Sequence, residues 1–468
     1  MDERARAEEL LTRVSRALAE QKRRGRLLDE IAWPRAVEEE FFASGCERLP
    51  EVTYDVDRDG LATRIADLGE LEARIDGDEP VAAFLRRVVA SQCDADRLLL
   101  AAGTARFGGL GRALYGGART PFYEGNVTNL DLAEHLEKRL RVHGWDEAKE
   151  RETTPLSAEE MVEHLEKRVA RTSPRLDVEV VLDPRCTAKV LAGARRVRVR
   201  PDATFGRTEA EGLFFHEVET HALSAQNGAE QREAPFLASG GPRTTRTQEG
   251  LAVFSELYHH VLTVPRVLRL AQRVRLVDMA EQGASFLDLF RFLVDQGTAP
   301  REAYLDAQRI CRGGVVEGGA PFTKDACYLA GLLHVVAFLN VFVRGGFRDE
   351  TELLVVGRVD LDDVTALVKL RSLRLLSRPK YLPRWLRRWD TLLPYFAFSS
   401  FFQGLDLSPL ERHCQDVIRL AEQATPRPTR SRGRGPEANP LRTGPPDGQA
   451  KPDLGEAPRE PASGPQRE

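Results

Sequence analysis

The sequence predicts an α+β chain, mostly helical, with one small sheet. Three observations carry this. Apolar residues recur at helical spacing over most of the chain. Two short β-branched runs follow Pro174. From Thr425 the chain is rich in Pro, Gly and Arg and nearly free of apolar side chains. Three regions are expected: a mostly helical N-terminal region over 1–173 packed on the core, a core over 174–423, and a tail over 424–468. The tail cannot bury enough surface to offset its ordering entropy, so disorder is expected there.

Residues 2–30 mix acidic and basic side chains around Leu10, Leu11, Val14 and Leu18, the pattern of a charged helix. "RLPEVTYDVD" (48–57) reads as extended. Residues 79–115 are helical again and end in "GGLGRALYGG", a glycine-rich break. Asn129 suits the N-cap of the next helix. "HLEKR" occurs at 135–139 and 164–168, but its flanks differ, so two solvated helix faces are expected and not a repeat.

Past Pro174, "DVEVVLD" and "RRVRVRPD" read as strands with "LAGA" as the turn between them. In the second run Val197 and Val199 share one face, and Arg196, Arg198 and Arg200 the other. That is the look of an edge strand with a solvated basic face, and an open edge can also pair with an extended peptide. "ACYLAGLLHVVAFLNVFV" (326–343) is about long enough to cross a bilayer. It holds His334 and Asn340 and stands alone, so a buried core helix and no membrane span are expected. "WLRRWD" (385–390) reads as an amphipathic surface helix whose tryptophans anchor packing.

The formal net charge is -4, with both signs interspersed, so no nucleic-acid partner is expected. The six cysteines, at 46, 93, 186, 311, 327 and 414, form no C-x-x-C pair and read as reduced thiols. The opening "MDERARAEELL" is charged and lacks an apolar signal core, so a cytoplasmic protein is expected. Nothing in the pattern sets an oligomeric state.

"EGLFFHEVETHALSAQNG" (211–228) carries the chemistry. Thr208 and Glu211 fit a capping box, and Asn227-Gly228 a helix stop, so His216 and His221 fall within one helix. Neutral imidazoles are metal ligands, and the carboxylate of Glu217 suits work on a bound water. The common signature spaces its histidines by four; here they are five apart. On a regular helix five positions turn the side chain by about 140°, too far to share an ion. A π-type turn, bonded i→i+5, restores a common face, so a bulge between Glu217 and Thr220 is predicted. The third ligand is Glu249 of "RTQEGLAVFSELYHH", on a helix expected to begin near Thr247. Two histidines, a glutamate and a water are a catalytic zinc set, hence Zn2+ as cofactor. Glu256, His259 and His260 compete for the third place.

These residues look familiar. His216-Glu217-x-x-x-His221, Asn227-Gly228 and "QEGLA" (248–252) resemble the QEGLA-motif family, as does "RICRGGVVEGGAPFTKDACYLAG" further on. Bacterial members are labelled flavohaemoglobin expression-modulating proteins; eukaryotic relatives are the microtubule-associated tyrosine carboxypeptidases, which remove the last tyrosine of tubulin tails. The resemblance covers roughly residues 10–420. It implies a zincin-like metallopeptidase core, in which the sheet's edge strand borders the active-site helix, and a zinc-dependent peptidase with His216, His221 and Glu249 as ligands and Glu217 as general base. Many relatives have Gly where this chain has Glu219.

A carboxypeptidase takes a peptide or protein C-terminus and must hold its carboxylate, usually by Arg or Lys. Lys324, Tyr328 and Gly331 share one helix face. Lys324 suits the carboxylate, with Arg312 as a second candidate, and Tyr328 the developing oxyanion; Gly331 permits close approach. An Arg312–Asp325 pair would order the loop between them. A C-terminal Tyr or Phe is implied by the resemblance. The alternatives are a non-catalytic regulatory or binding protein, and a metal-dependent hydrolase of a small amide.

Overall fold

A computed structural model describes residues 3–21, 27–77, 79–122, 125–140, 155–186 and 188–403. The expected tail, and the part of the expected core beyond 403, lie outside the described residues.

Helices dominate. Glu3–Glu20 and Leu27–Glu30 occupy the predicted first helical stretch. Arg58–Ala73 and Pro80–Leu100 pack as an antiparallel pair beneath it. The glycine run at 108–111 does not break the chain: Arg106–Tyr115 is helical through it and ends at Gly116, whose φ of 76° only glycine adopts readily. Gly108 is small because Ala320 crosses there; a Cβ would stand 2.5 Å from the Ala320 Cα. Asn129 is not the N-cap but the first helical residue of Asn129–Leu140. Thr128 and Asp131 exchange the capping hydrogen bonds instead, which frees the Asn129 amide to donate to the Ala326 carbonyl.

The sheet has three strands where the sequence predicts two. β1 (Glu179–Leu182) runs parallel to β3 (Arg196–Val199), and β2 (Val190–Ala192) runs antiparallel to β3. The order is β1-β3-β2, so the "RVRVR" strand is central and not an edge. Its valines are buried as their alternation predicts. "LAGA" is half strand and half turn; three residues are too few to show a period. The edge strand that packs against the segment Phe214–Ala222 is β2.

One apolar cluster joins Leu11, Val14, Phe84 and Met161 to Val218, Phe254 and Leu339. A second, aromatic cluster packs Trp33, Phe41, Phe286 and Tyr304 under Val264–Glu281. The apolar run at 326–343 becomes the helix Cys327–Arg344. It is long and apolar enough to cross a membrane by length and composition. Leu329, Val335, Leu339 and Val343 lie in the interior and Val341 is exposed. "WLRRWD" is a short helix, Arg384–Arg387, followed by Trp389–Gln403. Trp385 is an anchor, buried 5.3 Å from the Phe254 ring.

Candidate metal centre

Three consecutive segments form one continuous rod: the α-helix Arg207–Leu213, a π-helix Phe214–Ala222, and the α-helix Leu223–Ala229. The predicted bulge is present and wider than the four residues expected. Thr220 Oγ1 donates 2.9 Å back to the Phe215 carbonyl, five residues earlier, and so reinforces the π spacing. The rod starts two residues before the predicted cap: Gly206 is the N-cap and Glu209 folds back to its N–H. Glu211 instead pairs with Arg168. Nor do Asn227 and Gly228 stop the helix, which ends at Ala229. The Asn227 amide donates to the carbonyls of Val355 and Tyr381, and Gly228 lies against Leu237, where a Cβ would meet backbone at 2.3 Å.

The π turn brings the two imidazoles together, with ring centroids 4.9 Å apart and planes at 83°. Glu249 reaches them from the helix Pro242–Tyr258, which begins five residues before the predicted start because Gly241 and Pro242 open it. Its Oε2 lies 3.4 Å from His216 Nε2 and 3.5 Å from His221 Nε2. One donor atom from each of the three residues fits within a 4.8 Å span. Bonds of ~2.0–2.2 Å in a tetrahedron put ligand atoms ~3.4 Å apart, which both carboxylate–imidazole spacings match. Glu249 Oε2 is buried without a hydrogen-bond partner, as expected of an atom whose partner is a metal. The donor set therefore fits a metal ion.

Other atoms of these three side chains are already engaged. Glu249 Oε1 accepts from Lys324 Nζ at 2.8 Å. His216 Nδ1 lies 2.7 Å from Glu256 Oε1, and Arg266 grips the same carboxylate with two hydrogen bonds of 3.1 Å. Glu256 thus faces His216 Nδ1 and lies outside the His216–His221–Glu249 group. His259 and His260 stand elsewhere: His259 stacks on Phe215 at 3.9 Å, and His260 ends the helix with φ 58°. Burial works against every charge here. Even so, the Glu249 and Glu256 carboxylates hold the His216 imidazole up to about 10. Against the same burial, Arg266 and His216 hold Glu256 down at about 2. Lys324 and the imidazoles keep Glu249 well below the usual carboxylate range. Positive charge between these acids is strongly favoured.

Glu217 projects from the π segment toward the sheet, where its Oε2 accepts the Ala192 N–H of β2 at 2.9 Å. Glu219 points to the rear and is fully buried, held by Ser173 Oγ, the Arg384 N–H and the Arg387 guanidinium. This bulky acid is therefore accommodated on the face away from His216 and His221.

Lys324 lies in the 3₁₀ turn Thr323–Ala326, one turn before Tyr328. Gly331 permits the approach of a helix: at its crossing with Gly250 an added Cβ would meet the Arg246 carbonyl at 2.1 Å. This contact sets Lys324 and Tyr328 beside Glu249. The Tyr328 ring lies 6.3 Å from the His216 ring. Asp325 pairs with Arg309 at 2.8 and 2.9 Å and not with Arg312. The reason is register: Arg309 ends a helix, Pro300–Cys311, that runs beside the turn. Around Tyr328, Arg266 pairs with Glu256, Arg273 with Asp306, Arg309 with Asp325 and Lys324 with Glu249. Arg312 alone of the five cations has no ion-pair partner among the described residues. It is buried, lies over the Phe322 ring at 5.6 Å, and its Nε has no hydrogen-bond acceptor. Burial and the neighbouring Arg309 push it down to about 10. Sequence reasoning missed Arg266, which sits in an ordinary amphipathic helix and carries no signal; it named Glu256, seven residues and two turns from Glu249, as a competing third ligand, and the structure sets it against His216 Nδ1 instead.

No curated protein matches the chain. Among solved structures it is similar to Trypanosoma cruzi metallocarboxypeptidase 1, with 14% identity over 89% of this chain and 99% of that one, and a TM-score of 0.32, too loose a likeness to bear on the site. Residues 39–404, which carry every residue of the centre, match a protein family described as microtubule-associated tyrosine carboxypeptidase, and the chain belongs to that family.

Proposed function

We propose that the chain is a zinc-dependent carboxypeptidase that removes a C-terminal Tyr or Phe from a peptide or protein, with His216, His221 and Glu249 as ligands. One observation carries the reading: Glu249 Oε2, buried and without a hydrogen-bond partner, 3.4 and 3.5 Å from two imidazole nitrogens. When bound, zinc supplies Lewis acidity for the scissile carbonyl and brings hydroxide within reach near neutral pH.

The protein side chains do the rest. Glu217 takes the proton of the attacking water and returns it to the leaving amine. Its hydrogen bond from the β2 edge occupies one oxygen and leaves the other for this work. Tyr328, beside His216, donates to the oxyanion that forms on the carbonyl. Arg312 receives the terminal carboxylate. A guanidinium kept from water without a counter-charge is costly, and a substrate carboxylate removes that cost through paired hydrogen bonds. Lys324, committed to Glu249, secures the ligand. The family supports removal of a terminal residue; the apolar side chain of that residue is the finer part of the proposal.

The test joins two measurements. Elemental analysis of purified protein is expected to find about one zinc per chain, and His216→Ala to lose it. Peptides ending in Tyr or Phe are expected to be trimmed, and their C-terminally amidated forms to be refused. Zinc-free wild type, or equal cleavage of amidated peptides, defeats the proposal.

A further inference from the structure

The helix Pro242–Tyr258 carries two acids toward His216. Glu249 and Glu256 are seven residues apart, which on an α-helix is two turns, about 20° short of full register and ~10.5 Å of rise. The imidazole bridges that gap. Its Nε2 faces Glu249 at 3.4 Å and its Nδ1 faces Glu256 at 2.7 Å. Arg266 already donates to both Glu256 oxygens, so Glu256 is the acceptor in that short contact and Nδ1 the donor. In the neutral ring that metal binding requires, Nε2 is then the nitrogen left with a lone pair, on the side of Glu249 Oε2 and His221. Glu256 is itself held: Arg266 donates from Nε to Oε2 and from Nη2 to Oε1, each at 3.1 Å. Arg266 belongs to the next helix, Val264–Glu281. The Glu256 and His216 side chains are almost wholly buried, at 5% and 6% exposed, so water does not compete for these bonds.

We propose that Arg266 and Glu256 are positioning residues that fix the tautomer and ring angle of His216, so that the Val264–Glu281 helix is a built part of the metal centre. The inference rests on the zinc reading above and adds to it. A carboxylate behind a ligating imidazole raises the basicity of the ring and removes its freedom to flip; loss of such a partner typically weakens metal binding by ~10–100-fold. The alternative is that Arg266–Glu256 is an ion pair that only joins two helices. It would then affect melting and leave the metal affinity of the folded protein unchanged.

Chelator competition on the full chain separates these. Glu256→Ala is expected to raise the zinc Kd by ~10–100-fold. Glu256→Gln is expected to raise it less, because the amide oxygen still accepts the Nδ1 hydrogen. Arg266→Met is expected to fall between wild type and Glu256→Ala. If Glu256→Ala does not fold because Arg266 is stranded, Glu256→Gln with Arg266→Gln removes both charges at similar volume and must still bind zinc more weakly. A second readout needs no substitution. In the cobalt-loaded wild type, an imidazole N–H proton shifted far downfield is expected to persist against solvent exchange. A zinc Kd within twofold of wild type in the folded variants, or no protected imidazole N–H in the cobalt wild type, overturns the relay. Wild type that takes up neither metal defeats the zinc reading, and the relay with it.

Discussion

Lys324 Nζ lies 2.8 Å from Glu249 Oε1, which leaves Oε2 as the oxygen that faces the two imidazoles. Glu249 therefore has one free oxygen and one held by a cation. Both partners are nearly buried, and removing one side of such a pair costs about 3–5 kcal/mol when the other stays charged. Lys324→Met is accordingly expected to destabilise the metal-stripped protein by about 3 kcal/mol and the zinc-loaded protein by less, since zinc itself compensates Glu249. Calorimetric melting of both forms checks this; equal losses would mean that Lys324 and the metal do not share Glu249.

Glu217→Gln separates the proton carrier from the ligands. The amide oxygen of Gln can still accept the Ala192 N–H, so β2 stays attached to the π segment. Zinc content is expected to remain at wild-type level while kcat falls by ~10²–10⁴. Metal analysis and peptide hydrolysis on the same preparation give the answer. Unchanged turnover would remove Glu217 from the mechanism.

Much of this centre was legible because its chemistry is dense in sequence. Two histidines five apart are useless on an α-helix, and that misfit is itself the signal for the π segment. Burial of Val197 and Val199 followed from alternation alone. What stayed hidden depends on neighbours distant in sequence. That β3 is central requires knowing that β2 exists, and β2 is only three residues long. The cap at Gly206 shows no side chain, so Thr208 looked better placed than it is. Arg309 and Arg312 lie three apart near one helix end, and only the packed turn decides that Asp325 takes Arg309. Composition gives no hint that Lys324 serves Glu249.

Of the five cations around Tyr328, Arg312 is the one without an ion-pair partner among the described residues, so its loss is expected to be felt by substrate more than by the fold. Arg312→Met removes a buried unpaired charge and is expected to leave the melting temperature unchanged or raise it. Hydrogen bonds to a charged group contribute about 1.5–3 kcal/mol each, so KM for a peptide with a free terminal carboxylate is expected to rise by ~10–100-fold. Steady-state kinetics with free-acid peptides check this. An unchanged KM would place carboxylate recognition elsewhere.

The crossing of Gly250 and Gly331 predicts a packing defect with a functional echo. In Gly331→Ala the new Cβ would meet the Arg246 carbonyl at 2.1 Å and Gly250 backbone at 2.9 Å. Neither atom is the end of a flexible side chain, so the two helices must separate. Overpacking of this kind costs about 1–3 kcal/mol. Because Glu249 follows Arg246 by one turn, zinc affinity is expected to fall together with the melting temperature. Chelator competition beside a thermal melt tests the pair; a melt shift with an untouched zinc Kd would show that the crossing does not position Glu249.

The last expectation concerns acid. His259 stacks on Phe215 and lies near Arg168, Arg384 and His260; burial first, and those cations next, push it down to about 3 from an ordinary value near 6.5. In the folded chain it is therefore neutral over a range in which the unfolded chain protonates it. Between pH 6.5 and 3 the unfolded state binds more protons, so stability falls as pH falls through that window and is fully present above it. A single group of this kind contributes at most about 1.4 kcal/mol per pH unit, and less here because His259 is only partly buried. Other titrating groups act equally in wild type and in His259→Gln, so their difference isolates this one. The gap in unfolding free energy between the two proteins is expected to shift in favour of His259→Gln from pH 7 to pH 5 in denaturant titrations. A gap that stays constant would mean that the ring accepts its proton without leaving Phe215.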